Sequence, residues 1–186
     1  METVQWLLSS DPWVVYRTRL DILHEDPGSP AVKSAYSEMI GHPKIQSLVK
    51  ELSEWPGTGL KSHKKAGHLL HKLVFIADLG LQMDQPLLAE IMTKVLSNTA
   101  VEGPFQILVN LPKHFGGSGE DELSWMLCDA GSTLYAAAKI AGCEHPKVLK
   151  AADYLADLVD TGFGWPCAAT KALGRFRGPG KKGDPC

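Results

Sequence analysis

Two short stretches in the C-terminal third of the sequence carry side chains that can bind a metal ion. Cys128 and Asp129 are adjacent, and Asp184 is followed two positions later by Cys186. Thiolate and carboxylate are both zinc ligands, and a catalytic zinc site takes three protein ligands and keeps one position open. Asp184 and Cys186 are therefore candidate metal ligands. The alternative is a chance Asp-x-Cys pattern in a disordered chain end.

Cys128 and Asp129 fall early in a predicted helix, whose positive N-terminal end favours thiolates and anions. If several inner helices point the same way, their N-termini converge on one mouth. The side chains expected there are His63, His68, Cys128, Asp129, Asp184 and Cys186. In the alternative interpretation, Cys128 is a small core residue and Asp129 accepts hydrogen bonds from nearby backbone donors.

Two basic stretches offer further sites. In the first, His68 and His71 share a helical face among several lysines and can form a ligand pair, although a solvated basic turn is the alternative. The second is the segment 162–186, which has one acid and several cations: Lys171, Arg175, Arg177, Lys181 and Lys182. Its glycines allow backbone N–H groups to approach a diphosphate. A mobile chain end is the alternative there.

The bulk composition excludes several classes of protein. The chain has 186 residues, 44% of them hydrophobic and 22% charged, which is typical of one soluble domain. A net charge of −2 does not favour nucleic acid or an anionic membrane. No Walker, G-x-S-x-G, H-E-x-x-H or G-x-G-x-x-G motif is present. No apolar stretch is long enough to span a bilayer, the N-terminus has no basic leader, and the four cysteines form no CxxC pair. We therefore expect reduced cysteines and a cytoplasmic location.

A repeated helix opening indicates the architecture that must position these side chains. His42-Pro43-Lys44-Ile45 matches His145-Pro146-Lys147-Val148, and Gln85-Pro86 opens a third helix. Apolar spacing predicts helices over about 12–24, 30–41, 43–52, 62–79, 86–97, 121–141 and 146–160, with a short one at 105–111. No stretch alternates with period two, so no strands are expected. The prediction is an all-α stack of antiparallel hairpins over residues 1–161, followed by a Gly/Pro-rich basic tail over residues 162–186.

One region of this repeat resembles a known superfamily. It begins at Trp125-Met126-Leu127-Cys128-Asp129, continues through Ala141-Gly142 and the outer helix at Pro146, and ends at Gly162-Phe163-Gly164-Trp165. This order is similar to the repeat of protein prenyltransferase β subunits and squalene or terpene cyclases, which fold as α/α toroids. The resemblance implies that Asp129 lines the mouth as a catalytic residue. The cyclases' D-x-D-D and Q-x-x-x-G-x-W motifs do not occur.

The tail carries a second likeness. Residues 174–186 resemble the F-x-G-R-x-x-K-x-x-D-x-C-Y pattern of protein prenyltransferases, once a one-residue gap is allowed at the arginine. The resemblance implies that Asp184 and Cys186 bind zinc and that Lys181 and Arg177 hold a prenyl diphosphate. The family's third zinc ligand is a histidine further along the chain.

Two functions follow from these patterns. The first is a prenyltransferase- or cyclase-like domain that binds an apolar ligand, such as an isoprenoid or a prenyl diphosphate, on its concave face. The second is a non-catalytic helical-repeat module that binds a partner protein. A closed toroid needs about a dozen helices, so seven or eight helices predict an open arc. That arc is expected to be a fragment of a longer toroid, to form a homodimer or to remain open.

Overall fold

The computed structural model describes residues 2–115, 117–159, 161–162 and 164–170. These residues are mostly helical, as predicted, with one small sheet. The α-helices are α1 (Glu2–Leu8), α2 (Pro12–Arg17), α3 (Pro30–Gly41), α4 (Pro43–Leu52), α5 (Leu69–Leu79), α6 (Pro86–Ser97), α7 (Leu127–Ala141) and α8 (Pro146–Asp157). The strands are β1 (Ile107–Asn110) and β2 (Asp121–Ser124), and one 3-10 turn covers Lys113–Phe115.

Proline opens α2, α3, α4, α6 and α8, which confirms the predicted helix starts. A proline fits the first turn because the N–H it lacks would have no partner inside the helix. At α3 the preceding Ser29 accepts a hydrogen bond from the Val32 N–H at 3.3 Å. A side-chain cap of this kind stabilises a helix start by about 1 kcal/mol.

The two His-Pro-Lys openings adopt the same capping structure. His42 Nδ1 accepts from the Lys44 N–H at 3.2 Å, and His145 Nδ1 accepts from the Lys147 N–H at 3.2 Å. Each helix then buries a similar stripe, which is Ile45, Val49 and Leu52 in α4 and Val148, Ala151 and Leu155 in α8. The sequence repeat is therefore also a structural repeat.

Several predicted helix boundaries were wrong. The first helix is not predicted at all, since α1 has no buried residue to give a periodic apolar stripe. The helix predicted over 12–24 is α-helical only to Arg17 and continues as a π-helical turn over Thr18–Ile22. The helix predicted over 62–79 begins only at Leu69, because His68 has extended backbone angles and caps it.

The expectation of no strands was also wrong. β1 and β2 form an antiparallel pair with Ile107 opposite Ser124 and Asn110 opposite Asp121. The predicted helices at 105–111 and at the start of 121–141 do not form. β1 buries alternate residues, Ile107 and Val109, but four residues are too few for this alternation to stand out in the sequence.

Asp121 attaches this hairpin to the loop that precedes α5. Its Oδ2 accepts from the Gly59 N–H at 2.8 Å, and its Oδ1 accepts from the Asn110 side-chain amide at 2.7 Å. The Leu60 N–H also donates to the Leu108 carbonyl at 2.8 Å. The loop from residue 57 to α5 is therefore held against the hairpin that leads into α7.

Helices α5 and α7 pack directly against each other, and two contacts that occur in the same order along both helices indicate that they run parallel. Near the C-terminal end of α5, Asp78 Oδ1 accepts from the Tyr135 hydroxyl at 2.6 Å. His63, which precedes α5, reaches Asp129 at the start of α7. Contacts at both ends of the pair bring the two helix N-termini to the same end of the fold. Within the described residues, no helix is both long enough and apolar enough to cross a membrane.

Gly80 ends α5 in the left-handed conformation, with φ of 84°. A Cβ there would lie 3.0 Å from Arg17 Nη1 and 3.3 Å from the Tyr16 ring. We expect Gly80→Ala to lower the free energy of unfolding by about 1–2 kcal/mol, because non-glycine residues are strained at this φ. Urea denaturation measures the change. Gly41→Ala is the control, since a Cβ at Gly41 meets nothing within 4 Å and the variant should be neutral; equal losses in both would contradict the expectation.

Candidate functional site

The start of α7 places Cys128 and Asp129 in very different surroundings. Met126 is extended, with φ of −124° and ψ of 152°, and the helix begins at Leu127. Cys128 therefore lies on the outside of the first turn and is exposed, whereas the Asp129 side chain is only 1% exposed. The interpretation of Cys128 as a core residue was wrong. The aspartate is the buried member of the pair.

The polar neighbours of the buried Asp129 carboxylate are side chains and not backbone donors. Neither Oδ1 nor Oδ2 of Asp129 accepts from a backbone donor. The alternative in which this side chain accepts hydrogen bonds from nearby N–H groups was therefore wrong. Burying an ionised carboxylate is costly, because burial removes the water that would otherwise solvate its charge.

His63 supplies the nearest polar group. Its Nε2 lies 2.7 Å from Asp129 Oδ1, which is ion-pair distance, although the ring is not aligned as a hydrogen-bond donor. Ligand atoms of His63, Cys128 and Asp129 all lie within 4.8 Å of one another. An imidazole nitrogen, a thiol sulfur and a carboxylate oxygen therefore converge at the N-terminal end of α7.

Burial raises the pKa of Asp129 to about 7, and the Cys128 thiol partly offsets this effect. The group therefore changes charge near neutral pH in the absence of a cation. A positive ion beside the carboxylate would favour the ionised form. A cation that binds beside Asp129 near neutral pH would therefore shift this carboxyl group from its protonated to its ionised form.

Two more histidines surround this cluster, and they differ in role. His68 caps α5, since its Nδ1 accepts from the Leu70 N–H at 3.2 Å and its Nε2 lies 2.9 Å from the Thr58 carbonyl. Both ring nitrogens are therefore occupied, and burial lowers the pKa of His68. His68 is only 9% exposed, so the prediction of a solvated basic turn was wrong for it. It is a structural residue of the fold.

His71 points toward the cluster. Its ring centroid lies 5.7 Å from that of His63 and 6.4 Å from that of His68. Its Nε2 is buried and has no hydrogen-bond partner. His71 thus offers an unused nitrogen beside His63, and the i,i+3 pairing of His68 with His71 is not a ligand pair.

An exposed face continues from the cluster along α5 and α7. On α7 the exposed residues after Cys128 are Gly131, Tyr135 and Lys139, at helical spacing, and Tyr135 is 42% exposed. On α5 the exposed residues after His71 are Phe75 and Asp78, and Phe75 is 45% exposed. We call this surface the α5–α7 face. It presents two aromatic rings within about two to three helical turns of the cluster.

The structure describes only some of the residues that were predicted to form the site. It places Asp129, and it brings His63 and Cys128 to that residue. Arg177, Lys181, Asp184 and Cys186 lie outside the described residues. The sequence paired His71 with His68 at i+3 spacing, but in the structure its ring lies closer to that of His63.

No protein-family model matches this chain, and no curated protein or solved structure is significantly similar to it. The functional argument therefore depends on the site itself.

Proposed function

We propose that this chain holds a zinc ion between His63, Cys128 and Asp129 and binds an elongated apolar ligand along the α5–α7 face. One observation carries the proposal: a buried carboxylate lies within 4.8 Å of an imidazole nitrogen and a thiol sulfur. Zinc accepts nitrogen, sulfur and carboxylate oxygen together. Three protein ligands would leave a position open, as in catalytic zinc sites.

The surrounding residues support this donor set. Asp129 is fixed by its place in the first turn of α7, and the exposed thiol of Cys128 lies on the same turn. The N-termini of α5 and α7 and the lysines of segment 61–72 favour negative charge nearby. A bound zinc ion supplies Lewis-acid activation of an oxygen or sulfur atom of a ligand. An anionic or thiol-bearing head group fits this end of the site.

The α5–α7 face supports the apolar part of the proposal. Phe75 and Tyr135 are large rings left exposed on neighbouring parallel helices, on the side that also carries the cluster. An isoprenoid chain lying along this face would place its polar end at His63 and Cys128. The parallel inner helices are also what an arc of an α/α toroid requires, and we propose that arrangement for this chain.

Metal analysis of the purified full-length chain tests the zinc site. We expect about one zinc ion per chain in the wild type, and a loss of affinity of at least about 100-fold in His63→Ala and in Cys128→Ser. Cys143→Ser is the control, because Cys143 is also an exposed thiol but follows the far end of α7. It should bind zinc as the wild type does.

Two other outcomes would redirect the proposal. Zinc lost in Asp184→Ala or Cys186→Ser, but kept in His63→Ala, would move the metal site to the tail. Metal-free protein in every case would favour the non-catalytic module, in which the exposed aromatic face binds a partner protein.

Phe75→Ser tests the apolar part separately. We expect this variant to bind a probe such as farnesol about tenfold more weakly. The ligand would lose its apolar contact with the exposed part of the phenyl ring, which is roughly half of the ring. Stability should change by less than about 0.5 kcal/mol, since the side chain is already exposed. Calorimetric titration measures the affinity. Leu149→Ser on α8, also 45% exposed, is the matched control, and an equal effect there would show that binding is not specific to this face.

A further inference from the structure

A cleft of about 400 Å³ lies at the C-terminal end of α5. Among the residues that line it are Tyr16 of α2, Val32, Lys33 and Tyr36 of α3, and Asp84 of the loop between α5 and α6. Because α5 has 11 residues and is therefore about 16 Å long, the cleft and the candidate metal site lie at opposite ends of this helix. Sites for small molecules typically have volumes of about 300–1,000 Å³, so the cleft has room for one.

A tyrosine hydroxyl orients the carboxylate that lines this cleft. The Tyr36 hydroxyl donates to Asp84 Oδ1 at 3.0 Å. Burial raises the pKa of Tyr36, and so does the hydrogen bond to Asp84, which means that the hydroxyl stays protonated and continues to donate. A hydrogen bond from a neutral group fixes the position of the carboxylate but does not neutralise its charge.

The cleft also has a positive charge, on Lys33. Within the part of the chain that the structure describes, neither Lys33 nor Asp84 forms an ion pair. An ammonium and a carboxylate that line one cleft without neutralising each other can each form a charge-assisted hydrogen bond with a ligand. This arrangement suits a molecule that has one positive and one negative group.

Two aromatic rings give the cleft an apolar wall. The ring centroids of Tyr16 and Tyr36 lie 5.2 Å apart, and the planes of the two rings are tilted by 49°. Val32, which is 2% exposed, adds an aliphatic surface. Aromatic surfaces of this kind pack well against another ring, and the face of a tyrosine ring also attracts an ammonium group. The cleft therefore combines an apolar surface with both signs of charge.

We propose that this cleft binds a free α-amino acid with an aromatic or large apolar side chain. The ammonium group of the ligand pairs with Asp84, its carboxylate pairs with Lys33, and its side chain packs against the rings of Tyr16 and Tyr36. A free α-amino acid carries both charges at neutral pH and can meet both protein side chains at once. Binding in this cleft requires neither zinc nor the α5–α7 face, so the inference is independent of the proposed function.

An NMR titration of the isotope-labelled full-length chain with three probes of similar size tests the proposal. L-phenylalanine has both charges, phenethylamine lacks the carboxylate, and 3-phenylpropionate lacks the ammonium group. We expect L-phenylalanine to bind with a Kd below about 1 mM, which is reasonable for a ligand of this size. Each probe with a single charge should bind about tenfold more weakly, because it loses one hydrogen bond to a charged group.

Two variants of exposed residues test the role of each charge. Asp84→Asn keeps an acceptor for the Tyr36 hydroxyl but removes the negative charge, so it should weaken the binding of L-phenylalanine and phenethylamine about tenfold and leave 3-phenylpropionate unchanged. Lys33→Met should weaken the binding of L-phenylalanine and 3-phenylpropionate and leave phenethylamine unchanged. Asp153→Asn, on the exposed face of α8, is the matched control and should leave all three affinities unchanged.

The expected result is this charge pattern together with amide shifts centred on residues 33–37 and 82–84. Phenethylamine binding as tightly as L-phenylalanine to the wild type would overturn the assignment of a ligand with two charges. Equal losses in Asp84→Asn and Asp153→Asn would overturn the role given to Asp84. The absence of saturable shifts with L-phenylalanine up to about 10 mM would overturn the site itself, whatever the zinc content of the protein.

Discussion

Asp129→Asn should flatten the pH dependence of stability in the metal-free protein. Burial raises the pKa of Asp129 to about 7 in the folded chain, against an ordinary value of 3.8. The folded state therefore holds a proton between these values that the unfolded state has lost. Stability falls as pH rises through this window and levels off above it. Between pH 5 and pH 8.5 the wild type should lose about 3 kcal/mol through this group, and the asparagine variant should not.

Urea denaturation in the presence of a chelator measures this difference at the two pH values. Asp153→Asn is the control, because Asp153 is exposed on α8 and its replacement should leave the wild-type slope unchanged. A wild-type stability that does not fall between pH 5 and pH 8.5 would contradict the expectation. The asparagine variant should also fail to bind zinc, so the chain would gain stability at high pH by losing the site.

Trp125→Ala should cost about 4 kcal/mol of stability, the loss typical of a large buried ring. Trp125 is 1% exposed and packs edge-on against Tyr154, with ring centroids 5.8 Å apart. Its Nε1–H donates to Glu102 Oε1 at 2.9 Å. The residue joins the β-hairpin to the start of α7, so its removal also loosens the turn that carries Cys128.

Trp165→Ala tests whether the loss of stability depends on the burial of the tryptophan ring. Trp165 also donates a hydrogen bond, to the Leu155 carbonyl at 2.8 Å, but it is 49% exposed. Its loss should cost about 1–2 kcal/mol, because less apolar area returns to water. Trp125→Phe should fall between the two, since it keeps one aromatic ring but loses the hydrogen bond and part of the buried volume of the indole. Equal losses in Trp125→Ala and Trp165→Ala would refute the role given to burial.

The helix starts could be predicted because their signals are local. Proline at the first turn and a capping side chain before it lie within a few residues of each other, as at Ser29-Pro30 and His42-Pro43. The β-hairpin could not be predicted in this way. β1 is held by long-range contacts, such as the Leu60 N–H to the Leu108 carbonyl, and no short sequence window contains both partners.

The same distinction between local signals and long-range contacts applies to the candidate site. That the N-termini of the inner helices meet follows from helix direction, and this led to His63, Cys128 and Asp129 as neighbours. The burial of Asp129 and its lack of backbone hydrogen-bond donors depend on how α7 packs, which spacing does not reveal. The exposure of Cys128 likewise depends on the extended Met126 that precedes it. Sequence patterns thus indicated which residues meet, and tertiary packing decides what they can do.

The histidine caps make the start of a helix depend on the protonation state of an imidazole. Within the described part of the chain, α4, α5 and α8 each begin with an imidazole Nδ1 that accepts a backbone N–H, at His42, His68 and His145. An imidazole accepts at Nδ1 only while that nitrogen carries no proton, whereas the Ser29 hydroxyl accepts at any pH. Burial lowers the pKa of His68, so the cap of α5 persists into more acidic solution than an imidazole in water would allow, and α5 would lose this cap once Nδ1 is protonated.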